Sequence, residues 1–168
     1  MLIRRARLAD VVFLPVLERS AAQAFQDIAG LEWVVSHEVM PEAEHEEAVR
    51  TGLSWSALRD GEPIGFAVAA EHEDGLHLLE LSVAHEAQGH GAGTRLVEAV
   101  IAAARERGKV SVTLTTFLDL RFNERFYRKL GFVRLTAAGM PERLRDCLAH
   151  EVALGLPGER RCAMRLVL

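Results

Sequence analysis

A mixed α/β fold, with one mostly antiparallel sheet of about seven strands flanked by helices, is the class this sequence predicts. Three observations predict it. Segments 2–8, 53–58, 63–71 and 78–83 read as hairpin-like strands, which favours antiparallel neighbours. Segment 78–83 then runs through a glycine-rich turn into a helical pattern and on to a strand at 110–117, the order of a strand-helix-strand crossover. Beyond it, helical and strand patterns alternate to residue 168.

Each element has a local reason. Residues 2–8 alternate charged and apolar side chains, as a half-buried strand does. Asp10 can cap a helix to about Phe25, with Leu14, Leu17 and Ala21 at helical spacing, and Pro15 means that this helix starts late or is kinked. Residues 27–40 have no clean period and read as a loop or broken helix. Pro41 opens a short acidic helix to Arg50, ended by Gly52. Asp60-Gly61 between the two following strands is a strong hairpin signal. After the glycine turn, Leu96, Val97, Val100, Ile101 and Ala104 form an apolar stripe facing a sheet, and Gly108 ends that helix. Residues 110–117 are rich in β-branched side chains. Asn123 reads as the N-cap of a short helix closed by Gly131; a strand at 132–137, a helix at 141–154 and a strand at 161–168 complete the chain.

Composition narrows the classes of function. The 168 residues are enough for one domain, 1–168, with a sizeable core. Apolar residues at 49% and charged ones at 26% describe a globular chain rather than a disordered or membrane one. A net charge of −4 without a Lys/Arg block lacks the electrostatic footprint of nucleic-acid binding. No stretch is apolar and long enough for a signal peptide or a membrane span. Cys147 and Cys162 are not at metal-ligand spacing and read as reduced thiols of a cytoplasmic protein. His45, His72, His85 and His150 show no ligand spacing either, so no metal is expected.

The run Leu78-Leu79-Glu80-Leu81-Ser82-Val83 followed by Gln88-Gly89-His90-Gly91-Ala92-Gly93 is the stretch around which the chain is organised. Three glycines in five residues let consecutive N–H groups approach a ligand where a helix presents its unpaired first-turn donors. Such a turn suits a phosphate, although a purely structural turn reads the same way.

Two stretches taken together resemble the GNAT superfamily of N-acetyltransferases. Gln88 to Gly93, after Leu81-Ser82-Val83, fits its Gln/Arg-x-x-Gly-x-Gly/Ala signature; Phe126-Tyr127-Arg128-Lys129-Leu130-Gly131-Phe132 is similar to its aromatic-Tyr-x-x-Leu-Gly-Phe segment. The resemblance implies a sheet splayed after the central strand and acetyl-CoA as donor, its pyrophosphate on the amides of Gln88, Gly89, His90, Gly91, Ala92, Gly93 and Thr94. It implies that Leu81 and Val83 offer backbone groups to the pantetheine arm and that a backbone N–H near Val83 meets the oxyanion. The family's asparagine two turns before the tyrosine is Leu120 here, and the nearest one, Asn123, is a candidate CoA contact or simply a helix cap.

Amine acetylation needs a base, because an alkylamine with a pKa of ~10.4 is almost entirely protonated at pH 7. Where the family often places a His or Glu, this sequence has His77, whose ordinary pKa of ~6.5 suits general-base work. Glu80 is the rival, a poorer base unless burial raises it. On a regular strand the two point to opposite faces. Each also reads as structural: His77 as a strand-start histidine, Glu80 as one half of an ion pair. Tyr127 matches the family's tyrosine that donates to the leaving sulfur; a core tyrosine is the plain alternative. Trp33, His37, Glu38 and the helix at 141–154 lie where the family selects its acceptor.

The sequence therefore predicts an acetyl-CoA-dependent N-acetyltransferase acting on a primary amine of a small molecule, amino acid or peptide by direct attack on the thioester. No nucleic-acid or membrane partner is expected, and a homodimer stays open. The alternatives are a non-catalytic acyl-CoA-binding or regulatory module, which would not need a phenol near the sulfur, and a dinucleotide-binding oxidoreductase, which lacks its full glycine motif and repeated strand-helix units.

Overall fold

The computed structural model describes all 168 residues. Seven strands form one sheet in the order β1-β2-β3-β4-β5-β7-β6. The chain divides into two compact units, Met1–Glu71 with Leu79–Ala103 and His72–Leu78 with Ala104–Leu168. Strand β4 (Gly75–Val83) and helix α3 (Ala92–Glu106) pass from one to the other.

In the first unit, β1 (Leu2–Arg5) pairs antiparallel with β2 (Ser54–Arg59), and β2 with β3 (Glu62–Glu71). The strand predicted at 2–8 ends early because Asp10 draws the chain after Arg5 into a turn. Its buried carboxylate takes both guanidinium arms of Arg4 (2.6 and 2.9 Å), the Arg7 amide (2.8 Å) and the Ser56 hydroxyl (3.0 Å). Asp10 thus anchors a 3-10 turn, Leu8–Phe13, rather than capping the long helix. The α-helix, α1, is confined to Leu14–Ala21 with Pro15 in its first turn, where the missing N–H costs nothing. Its apolar residues Leu14 and Leu17 pack with Ala48 of α2 (Glu42–Arg50), with Phe66 and Val68 of β3, and with Ala84 and Ala87. Met40, Ile64 and Val83 line the edge of this cluster. The β2–β3 turn is left-handed at both Asp60 (φ 53°) and Gly61 (φ 91°), the conformation that matches strand twist.

In the second unit, Gly75–Leu78 of β4 runs parallel to Ser111–Leu114 of β5 (Ser111–Phe117). That register ends at Leu78 opposite Leu114, while β4 continues to Val83 and β5 to Phe117. β5 pairs along its whole length with β7 (Arg161–Val167), which also carries β6 (Val133–Arg134), much shorter than the predicted strand at 132–137. Helices α4 (Glu124–Lys129) and α5 (Glu142–Ala153) complete the unit around Val112, Leu114, Leu144 and Met164.

Candidate functional site

In the first unit, the end of β4, the turn 88–91 and the start of α3 form one continuous backbone feature. Gly89 (φ 79°) and Gly91 (φ 85°) are left-handed, and a Cβ built on either would meet nothing within 4 Å. The turn is therefore open on the side where side chains would stand. The Arg95 amide bonds to the Gly91 carbonyl (3.1 Å), so the amides of the preceding α3 residues lie in the first turn, where helix geometry supplies no acceptor. His90 is exposed, Gly93 and Thr94 are half-buried, and Ala92 is buried. These residues fit a pyrophosphate. Gln88 also acts through its side chain, whose Nε2 donates to the Val83 carbonyl oxygen (3.0 Å) and, more weakly, to that of Ala21 (3.4 Å). The first signature residue thus ties the turn to the end of β4 and of α1. Sequence reading assigned only its backbone.

The same unit carries two carboxyl groups, Glu80 on β4 and Glu18 on α1. Glu80 accepts from the buried Ser82 hydroxyl at 2.8 Å, and Leu81 is half-buried between them. Glu18, on α1, accepts the Met40 amide at 3.0 Å. Burial and then the negative charge of Glu80 push the Glu18 carboxyl up to about 8, against the Met40 amide and Arg19, with Glu44 adding to the rise. Glu18 was missed by sequence reasoning. The signal was present: it lies four residues after Leu14 and next to Leu17, a carboxylate at the edge of the helix's buried stripe.

The second unit holds the other candidates. His77 is 5% exposed and its Nδ1 lies 2.9 Å from the Thr113 hydroxyl. Arg143 of α5 also donates to Thr113 Oγ1 (3.2 Å). Since a guanidinium can only donate, accepting from Arg143 leaves the Thr113 hydroxyl proton free to serve Nδ1 of a neutral His77. Burial, with Arg143 and His72 nearby, lowers its pKa to about 4 against the weaker pull of Glu151. A strand-start histidine is thus built into a polar network under α5.

Tyr127 is 7% exposed, edge-on to Phe126 (5.0 Å) and Phe132 (5.7 Å). Its backbone is fixed on both sides, the amide donating to the Asn123 carbonyl and the carbonyl accepting from Leu130 and Phe132. Asn123 precedes α4 but makes no side-chain cap, which corrects the helix-cap reading. Its ψ of −109° turns the side chain away from the helix amides, and Nδ2 donates instead to Thr116 Oγ1 (3.0 Å). Asn123 Oδ1 is left buried with no partner, an acceptor suited to a ligand donor. Cys147 and Cys162 are free thiols, and burial raises both, Cys162 to about 11. No group of three His, Cys, Asp or Glu side chains is placed to hold a metal ion, and no helix is long and apolar enough to cross a membrane.

A mixed sheet with a parallel β4–β5 pair and an open, donor-rich glycine turn at the start of the crossover helix defines the class as an α/β fold with a built anion-binding turn. The chain belongs to the acetyltransferase (GNAT) family, whose model matches residues 21–132. Among solved structures it is similar to PaiA N-acetyltransferase from Thermoplasma acidophilum in complex with coenzyme A, at 16% identity and a TM-score of 0.74 over 99% of this chain and 98% of that one. It is also similar to Rv2747 from Mycobacterium tuberculosis, crystallised with CoA, at 20% identity and a TM-score of 0.73 over 100% and 99%. A third likeness is to N-acetylglutamate synthase from Neisseria gonorrhoeae, complexed with coenzyme A and N-acetyl-glutamate. There the identity is 17% and the TM-score 0.72 over 99% of this chain and 35% of that one.

Proposed function

We propose that residues 1–168 act as one acetyl-CoA-dependent N-acetyltransferase, with a primary amine of a small molecule, amino acid or peptide as acceptor. The observation that carries this reading is the open turn from Gly89 to Gly91 at the start of α3, inside the stretch matched by the family model. The amides from Gln88 to Thr94 bind the pyrophosphate of acetyl-CoA. Leu81, Ser82 and Val83 present backbone groups to the pantetheine arm. With the Val83 carbonyl already engaged by Gln88, the Val83 N–H is the group left to polarise the acetyl carbonyl. Asn123 contacts the cofactor through its orphaned Oδ1.

Glu80 is the better base of the two candidates. It sits half-buried at the strand end, whereas His77 is engaged by Thr113 and weakened to a pKa of about 4. Glu80 takes a proton from the acceptor ammonium ion and the neutral amine attacks the thioester carbonyl. As the C–S bond breaks, Tyr127 protonates the departing thiolate, the role that family membership supports, and the second proton, shed by the amide nitrogen, returns to the Tyr127 phenolate. The raised thiols of Cys147 and Cys162 make poor nucleophiles, which favours direct attack over an acetyl-cysteine intermediate. The N-acetylglutamate bound to one structural relative supports a small acceptor. A panel of primary amines screened for thiol release from acetyl-CoA tests the proposal. Amine-dependent release supports it, and saturable CoA binding with no release for any amine favours the non-catalytic CoA-binding module.

A further inference from the structure

We propose that the side chain of Gln88 is a positioning residue for acetyl transfer, acting through Val83. Its amide group holds the Val83 carbonyl and so fixes the strand end whose N–H polarises the acetyl carbonyl. This rests on the acetyltransferase reading and deepens it, giving the first residue of the glycine turn a part in the chemical step.

The contacts all lie in the first unit. Gln88 Nε2 donates to the Val83 carbonyl oxygen at 3.0 Å and to that of Ala21 at 3.4 Å. A carbonyl oxygen only accepts, so the NH2 end of the Gln88 amide, not its oxygen, faces both partners. The bond to Val83 closes the segment from Ala84 to Ala87 across its base. That segment is anchored on its own account: the His85 amide donates to the Ser20 hydroxyl at the end of α1 (3.0 Å), and Ala84 and Ala87 are buried in the cluster with Leu14, Leu17 and Phe66. Gln88 therefore reaches back to Val83 from a backbone that is already held.

The direction of the Val83 peptide groups follows from one further bond. The Ala84 amide donates to the Ile64 carbonyl of β3 at 2.9 Å. In a trans peptide the N–H and C=O point opposite ways, so the Val83 carbonyl of that same peptide points away from β3. Along an extended strand the N–H of a residue shares the edge of its carbonyl, which puts the Val83 N–H on that edge too. The ladder with β5 has ended at Leu78, five residues earlier, so it does not fix the orientation of Val83. The Gln88 amide does. As the amine attacks, negative charge collects on the acetyl oxygen, and a donor aimed there in advance stabilises it without reorganising. Without the Gln88 amide the peptide after Val83 is free to turn, and the N–H loses its aim.

The test uses the full chain with three variants. Gln88→Met keeps the length of the side chain and deletes its donors, Gln88→Arg keeps donors on a long stem, and Ser20→Ala loosens the same segment at His85 while leaving Val83 held. Single-turnover rates are measured with acetyl-CoA and the best acceptor from the amine panel, and the Kd of CoA by calorimetry. Gln88→Met should be slower by about 10- to 100-fold while its Kd for CoA stays within about threefold, because the turn amides are untouched. Gln88→Arg should regain most of the rate, and Ser20→Ala should stay within about threefold of wild type. A Gln88→Met chain with the wild-type rate, or one whose CoA affinity falls in step with its rate, overturns the positioning role. So does a Gln88→Arg chain no faster than Gln88→Met, or a Ser20→Ala chain as slow as either. If wild type itself acetylates no amine, the acetyltransferase reading fails, and the positioning role with it.

Discussion

Replacing His77 by glutamine removes a titratable group from the interior of the second unit while keeping a polar side chain for Thr113. The unfolded chain binds a proton on His77 at its ordinary pKa of 6.5, but the folded chain resists until about 4. A pKa lowered by folding contributes stability that is present above 6.5 and is lost as the pH falls toward 4, because the unfolded state takes up the proton first. Between pH 7 and pH 5 this loss amounts to about 2 kcal/mol for His77 alone. His45, buried with neither ring nitrogen partnered and its pKa also lowered by burial, adds a loss of the same sign. That part is common to both proteins and cancels when they are compared. Urea denaturation at pH 7 and pH 5 should therefore show a smaller acid loss in His77→Gln by about 2 kcal/mol, with equal m-values. In melting temperature the difference is about 4–8 °C for a chain of this size. Equal acid sensitivity in the two proteins would refute the reasoning. So would a loss of more than about 100-fold in kcat/KM at pH 8 in a folded His77→Gln, since His77 would then be the base.

Asp10→Ala should destabilise by about 1–3 kcal/mol at pH 7, measured by urea midpoint, because it leaves the buried Ser56 hydroxyl and the Arg7 amide without their acceptor while the part-exposed Arg4 guanidinium turns to water. Gly65→Ala should also destabilise, since its Cβ would lie 2.7 Å from the Ser82 carbonyl oxygen, and calorimetry should show weaker acetyl-CoA binding as the end of β4 is pushed away. At Gly91 a methyl meets no atom, so Gly91→Ala should cost only about 1–2 kcal/mol of left-handed strain. Its larger effect should be on CoA affinity, read by calorimetry. Free CoA at 100 times its Kd should stabilise the folded chain by about 2.7 kcal/mol, seen as a rise in melting temperature of several degrees. Tyr127→Phe should lower the single-turnover rate by about 10² to 10⁴ with little change in CoA affinity.

The elements legible in the sequence were those whose signals are local. Asp60-Gly61, the apolar stripe of α3 and the Gly108 and Gly131 stops each specify their own conformation, and each stands as read. The seven strands and the parallel β4–β5 crossover followed from their order. Where a side chain had two outlets, the sequence could not choose. Asp10 left the helix it was expected to cap because Arg4, on the preceding strand, and Ser56, far along the chain, offered three further bonds. Asn123 likewise turned to Thr116. The glycine turn was legible because glycine's freedom is written in its identity, while the Gln88 bond to Val83 depends on tertiary placement. Glu18 and Glu80 lie sixty-two positions apart, and nothing local tells that the charge of one bears on the other.

Intact-protein mass spectrometry and product analysis on one reaction mixture test direct transfer from acetyl-CoA to an amine most closely. Protein, acetyl-CoA and the best acceptor from the amine panel are mixed, with a control lacking the amine. CoA and acetylated amine should appear in equal amounts, only when the amine is present, and the protein should never gain the mass of an acetyl group. A chain that becomes acetylated in the control, or releases CoA at the same rate without amine, would contradict direct transfer.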